Sequence, residues 1–594
     1  MRQPKIIVVG GGLAGLMATI RVAEAGVPIE LFSIVPVKRS HSVCAQGGIN
    51  AAKNQKGEGD TTQKHFDDTI YGGDFLANQP LVKRMCEAAP GIIDLLDRMG
   101  VMFNRTPEGL LDYRRFGGTL YHRTAFAGAT TGQQLLYALD EQVRRHESER
   151  KVTKREGWTF LSAVIDERGI GRGICAMDLR SMEVKTFPAD AVIFCTGGIG
   201  AIFGRSTNSV VCTGSAQSAL FQQGVAYANG EFIQVHPTAI PGEDKLRLMS
   251  ESARGEGGRV WVPRKPADKR PGKSIPEAER FYFLEEWYPK YGNLVPRDIA
   301  TRAIHRIVYQ EKLGVDGQPA VYLDVTHIPR EVLDRKLEGI LEIYEKFLGI
   351  DPREQPMKVF PAMHYTMGGI WVNGEDQATN VPGIYAAGEC EYQYHGANRL
   401  GANSLVSCIF GGGIAGPAAV KYVKNLERGA ESVDSSVFAR EQRRQEEKNQ
   451  ALVSQQGPEN PITIWKELGE IMTEHVTVTR INKNLEAAHG RIRELHCRYK
   501  KINLSDRTSW SNQTLNFARE LENMLILARV ITYGAFCRNE SRGAHYKPEF
   551  PDRDDANWLK TTRAKWVNGD IQLTYEPVDI SMIPPRPRRY DAVK

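Results

Sequence analysis

The sequence holds no CxxC pair, and its nine cysteines are scattered over 594 residues. That pattern argues against a thiolate-bound metal site and for reduced thiols in a cytosol-like compartment. No run of like charge is dense enough to serve as a nucleic-acid arm, and the net charge of +6 is mild for this length. Polar residues follow Met1 at once and IIVVG comes next, which leaves no room for a signal or transit peptide. Long uncharged runs are scarce; the longest is LGANSLVSCIFGGGIAGPAAV, residues 400–420. It has the length of a membrane span, but Asn403, the glycine triplet and Pro417 favour a buried loop and helix. The chain is therefore expected not to cross a membrane by itself.

The composition that remains, 41% hydrophobic and 25% charged, is that of a soluble globular protein. The length exceeds what one core can serve and suggests roughly three or four domains. Residues 5–15, KIIVVGGGLAG, read as a buried strand running into Gly10-x-Gly12-x-x-Gly15. A helical pattern and a second strand, VPIELF, follow. Glycines so placed give a tight turn and let the backbone approach a pyrophosphate at the helix N-terminus. An acidic residue usually ends the second strand to hold the ribose, but Ser33 stands there and Glu30 comes three residues early. Either a hydroxyl takes the ribose or this is a variant of the fold. Two later strands also stop at glycine turns, at Thr196-Gly197 and at Gly388-Glu389. Segments so far apart suit one long ligand, FAD rather than a nicotinamide dinucleotide.

A lone histidine raises a further question. His41 in RSHSVCAQGGIN (39–50) follows the nucleotide unit and has no metal-ligating neighbour at chelating spacing. That stretch is followed in order by HPTAIP (236–241), SESARGEGG (250–258), PRDIATR (296–302), HYTMGG (364–369), HGANRLGANSL (395–405) and RNESRGAHYKPEFPDRDDANW (538–558). Together they make the chain resemble, from end to end, the flavoprotein subunit of succinate dehydrogenase and fumarate reductase. The wording FIQVHPTAIPGEDKLRLMSESARGEGG is similar to the branch that works with a dihaem membrane anchor and menaquinone.

The resemblance implies an α/β fold with α+β parts. An FAD-binding Rossmann-like domain (1–236 and 353–425) is interrupted by a capping domain (237–352). A helical domain (435–545) and an extended C-terminal tail (546–594) follow. It implies FAD bonded covalently to His41, where a histidyl bond withdraws electron density and raises the flavin potential. The implied cofactor contacts are Gly10, Gly11, Gly12, Leu13, Ala14, Gly15, Ser33, Arg39, Ser40, Ser42, Gln46, Gly47, Gly48, Thr196, Gly197, Ser215, Gly388, Glu389, Arg399, Ser404 and Leu405. Phe116, His236, Ser250, His364 and Arg399 match the substrate positions. A guanidinium fork such as that of Arg399 can bond both oxygens of a carboxylate.

Proton transfer falls to Arg297, with Glu251 and Arg254 as its relay; three apart in ESAR, they are neighbours if helical. Arginine scarcely deprotonates in proteins, so the role is easier in the direction of fumarate reduction. PRDIATR by itself, without the resemblance, reads as an N-capping Asp298 followed by helix-surface arginines. Two positions depart from the family. Ser215 stands where TGDG has its carboxylate, and Ser250 where threonine is common.

The implied partners are succinate or fumarate, an iron–sulfur subunit, a haem-bearing membrane anchor and, through them, menaquinone, on the cytoplasmic side of the cell membrane. No metal site is expected in this chain. The Pro- and Lys-rich PRKPADKRPGKSIPEAER (263–280) reads as a surface insertion, and RIRELHCRYKKINLSDR (491–507) as a solvated basic helix face or a docking surface. A stand-alone soluble reductase or oxidase is the rival class; His41 and the RNESRGAH segment speak against it.

Overall fold

The computed structural model describes residues 3–242 and 246–590; Glu243–Lys245, inside the segment FIQVHPTAIPGEDKLRLMS, and the last four residues lie outside it. β-Branched residues at Ile6–Val9 form the fully buried strand β1, which a glycine turn joins to α1 (Leu13–Glu24) and β2 (Ile29–Ser33). Three distant strands complete a parallel sheet: β3 (Val152–Glu156), β4 (Ala191–Phe194) and β5 (Ile384–Ala386). The order is β5-β4-β1-β2-β3, with Val8 opposite Ile193 on one side and Leu31 on the other. Side chains such as Ile7, Val192 and Ile193 have no exposure, as expected of strands covered on both faces.

The uncharged run at 400–420 becomes α2 (Asn403–Asn425), long and apolar enough to cross a membrane but with most of its apolar window buried inside the protein. Its glycines make that burial possible. A Cβ on Gly412 would lie 2.2 Å from the carbonyl oxygen of Ala14, so only glycine lets α2 press against the start of α1.

The region expected as a cap is built on a six-stranded sheet in which Ile233–Ile240 pairs antiparallel with Met357–Thr366. The boundary expected at 236/237 therefore falls inside a strand. These two strands join the residues on either side of the region expected as a cap. Most of 263–280 is exposed, although Asp268, Gly272 and Ile275 turn inward. Four long helices, Ser435–Ser454, Pro461–His475, Asn482–Tyr499 and α3 (Gln513–Cys537), share one apolar core. In 491–499 the basic residues face outward while Ile492, Leu495 and Tyr499 point into that core.

The tail is more regular than its prolines suggest. Lys560–Val567 and Asp570–Pro577 form a hairpin whose first strand pairs with Tyr227–Ala228. The turn is Asn568-Gly569, both at positive φ (51° and 82°), the strongest short hairpin signal a sequence carries.

Candidate active site

The turn after β1 opens onto a cavity of about 490 Å³. Gly10 sits at φ 117°, and a Cβ there would lie 2.1 Å from the carbonyl oxygen of Cys195. Gly15 works differently: its missing side chain lets the helix meet the carbonyl of Gly10, and it does not line the cavity. No side chain caps α1 at Gly12, so its first N–H groups face the cavity; Ser42 Oγ accepts only from Leu13 N, at 3.3 Å. Such a terminus attracts anions.

The wall gathers Gly10, Gly11, Gly12, Leu13, Ala14, Ser33, Ser40, His41, Ser42, Gln46, Gly47 and Gly48 with Thr196, Gly197, Ser215, Gly388, Glu389, Ser404 and Leu405. It also gathers Phe116, Ser250, Glu251, Arg297, His364 and Arg399. Four of the expected site residues stand off it: Gly15, Arg39, Arg254 and His236. Arg39 is exposed on a short 3-10 turn and does not line the cavity. Ser33 reaches the wall, yet its hydroxyl donates to Val35 O at 2.5 Å. Glu30 turns away and pairs with Lys5 and Arg155.

His41 begins a 3-10 turn. Its Nδ1 accepts from Ser209 N at 3.2 Å, and Nε2 lies 3.4 Å from Asn208 Nδ2. The same Asn208 amide donates to His364 O at 2.8 Å, tying the histidine turn to the substrate wall.

At the cap side, buried charges meet. Arg297 donates to Glu251 Oε2 from Nε (3.0 Å) and Nη2 (2.8 Å), and Arg254 Nη2 donates to Glu251 Oε1 at 2.7 Å. Arg254 thus acts from behind the wall. Burial alone would raise the Glu251 carboxyl, but Arg297 and Arg254 outweigh it and hold the group below the usual range. Arg399 lies over the Tyr365 ring at 4.3 Å, and its buried Nε has no partner in the protein. Burial, then the nearby Arg297, push its guanidinium down to about 9.

His236 and His364 have ring centroids 5.0 Å apart. Burial and then Arg297 hold both well below the ordinary histidine range, so both are neutral at pH 7. Thr207 Oγ1 meets His364 Nδ1 at 2.8 Å, and His236 Nε2 is buried without a partner. Phe116, 1% exposed, lines the cavity with its ring against Gly47 and Gly401.

Several contributors had no motif to reveal them. Gln234 accepts from Arg297 Nη1 at 2.9 Å and donates to Arg399 O at 2.7 Å, so one amide spaces the two arginines. Trp158, Thr159 and Phe160 line the cavity, and so does Glu520 of α3. Asn523, also on α3, donates to Ser215 Oγ at 2.7 Å.

Comparison with known proteins decides the family. Residues 5–405 match the FAD binding domain model, and residues 465–590 match the model of the fumarate reductase flavoprotein C-terminal region. The chain is 63% identical to the succinate dehydrogenase flavoprotein subunit of Bacillus subtilis over the whole of both chains. It belongs to the flavoprotein subunits of succinate dehydrogenase and fumarate reductase. The Escherichia coli fumarate reductase flavoprotein subunit is 33% identical, over 99% of this chain and 96% of its own. The solved FrdA chain of E. coli quinol fumarate reductase superposes with a TM-score of 0.91 at 31% identity, covering both chains fully. A quinol–fumarate reductase solved with menaquinol molecules gives 0.89 at 31% identity, over 99% of this chain and all of its own.

This flavoprotein subunit is an oxidoreductase that binds FAD, and its cavity fits the group. Ser40 Oγ, Gln46 Oε1 and Thr196 Oγ1 lie buried on the wall with no hydrogen-bond partner in the protein. Together with the uncapped α1 they offer a dinucleotide the donors and acceptors that buried polar groups require.

Proposed function

We propose that the cavity interconverts succinate and fumarate with the roles implied for His41, Arg297 and Arg399. The observation that carries this reading is the buried chain Arg297–Glu251–Arg254 ending at the wall where Arg399 and the neutral His364 lie, with the neutral His236 packed behind His364. When bound, FAD supplies the two-electron acceptor or donor for hydride.

Arg399, with its unpartnered Nε, binds one substrate carboxylate; His364, His236 and Ser250 offer hydrogen bonds to the other. Phe116 excludes water beside them. In fumarate reduction Arg297 gives a proton to the substrate carbon, which hydride arrival makes strongly basic. Glu251 and Arg254 then return a proton to Arg297 along bonds of 2.7–3.0 Å. In succinate oxidation the same path runs outward.

His41 Nδ1 accepts from Ser209 N and Nε2 meets the Asn208 amide at 3.4 Å; in this reading the flavin bond takes Nε2 in place of that longer contact. The proposal extends to an iron–sulfur subunit that takes electrons singly, a haem-bearing anchor and menaquinone, with this chain on the cytoplasmic face. Similarity to proteins named as subunits, one solved with menaquinol, supports that part.

Arg297→Gln in the assembled complex tests the core of the reading. Turnover should fall by orders of magnitude with modest change in dicarboxylate affinity. Near-normal turnover would remove Arg297 from the mechanism.

A further inference from the structure

We propose that Arg588, near the end of the chain, is a positioning residue that sets the spacing of Arg297 and Arg399 and straps the cap to the flavin side. The inference rests on the roles proposed above for those two arginines.

Arg588 places both guanidinium nitrogens on one carboxylate, Nη1 on Asp298 Oδ2 (2.5 Å) and Nη2 on Asp298 Oδ1 (3.1 Å). The pair is buried, with side chains 6% and 1% exposed. Asp298 adjoins Arg297 at the start of the helix Arg297–His305. Its Oδ1 also accepts from Asn398 Nδ2 at 3.0 Å, and Asn398 adjoins Arg399. One carboxylate thus bridges the neighbours of both substrate-site arginines, and Arg588 fixes that carboxylate in a bidentate grip. Arg302 touches it more loosely, with one bond of 3.3 Å.

The rest of the segment is fastened on both sides of the joint. Arg586 pairs with Asp67, and Arg589 N donates to Tyr71 OH at 2.6 Å, both in the helix Thr62–Gly72. The Tyr590 ring lies 5.5 Å from Tyr71 and 5.1 Å from Tyr291 of the cap. Two residues beyond Tyr291, Asn293 O accepts from Arg254 at 2.8 Å. A strap across this joint favours the closed site, and loosening it shifts the population toward an open one that substrate must pull shut.

The test is steady-state kinetics of succinate oxidation on assembled complexes carrying Arg588→Ala or Arg588→Lys. In Arg588→Ala, KM should rise on the order of tenfold while kcat changes less than about threefold. FAD content should be unchanged. Lysine should recover only part of the loss, because a point charge cannot hold both carboxylate oxygens. Added guanidinium ion should lower the KM of the alanine variant and leave wild type unaffected.

Should Arg588→Ala lose FAD, Tyr590→Ala keeps the ion pair, loosens only the packing on Tyr291 and should show the same split. An unchanged KM in a fully loaded Arg588→Ala protein, or in Tyr590→Ala where that variant is needed, overturns the inference. Failure of the parent reading looks different: Arg297→Gln would then turn over normally.

Discussion

Replacing Glu251 with glutamine keeps the shape of the relay and removes its charge. Two buried arginines lose their shared anion: Arg297, with two bonds to one oxygen, and Arg254, with one to the other. Removing one member of a buried ion pair costs about 3–5 kcal/mol, so the variant should melt earlier than wild type. Catalysis should suffer separately, because an amide cannot relay to Arg297 the proton that replaces the one it gives to the substrate. A positioned acid–base group contributes about 10²–10⁴-fold, or roughly 3–5 kcal/mol at 1.36 kcal/mol per tenfold.

Binding should move the other way. Without Glu251, Arg297 and Arg399 face the substrate with more uncompensated positive charge, so a non-reacting dicarboxylate should bind at least as tightly as in wild type. The assay is fumarate reduction with a chemical donor, paired with calorimetric titration of malonate. Turnover within about tenfold of wild type, or a loss carried wholly by weaker malonate binding, would refute the relay.

Other outcomes follow from the same geometry. Arg399→Ala should weaken dicarboxylate binding by about 2–5 kcal/mol, the cost of truncating a buried charged bond, as read by the same titration. His41→Ser should keep FAD but release it into the supernatant on acid precipitation; wild type should hold it in the pellet. The variant should reduce fumarate with a chemical donor and largely lose succinate oxidation. Glu391, fully enclosed and with Oε1 unpartnered, is pushed up to about 8 by burial. A carboxyl raised on folding binds its proton more tightly in the native state, so its penalty grows as pH rises from the unfolded value of 4.5 toward 8. Glu391→Gln should therefore gain thermal stability over wild type by an amount that increases from pH 5 to pH 8; a pH-independent difference would contradict this.

Much of the flavin side was legible because its signals are local. Glycines at fixed spacing between an apolar strand and a helix force one turn, and the run at 400–420 carries its own evidence of burial in Gly412 and Pro417. The roles of Gln234, Thr207 and Asn208 were not legible. Each acts through a partner more than 60 positions away, and an amide in a buried strand leaves no trace in periodicity. Glu520 lies on a helix buried on nearly every side, where no apolar stripe marks the functional face. The hairpin is another matter: its Asn568-Gly569 turn is a local signal, while the prolines that flank it, at 548, 551, 577, 584, 585 and 587, read as an extended tail.

The strand order β5-β4-β1-β2-β3 has a consequence for how the molecule is made. β4 sits one place from the edge, and its outer neighbour β5 is encoded roughly 190 residues later. At about 5–20 residues per second, a ribosome takes roughly ten to forty seconds to deliver it. During that interval Ala191–Phe194 presents an unpaired apolar edge, and the wall made by Gly388, Glu389 and Arg399 does not yet exist. A nascent chain shorter than about 400 residues therefore presents only part of the cavity wall, and a chaperone that shields this edge would act before the wall is complete.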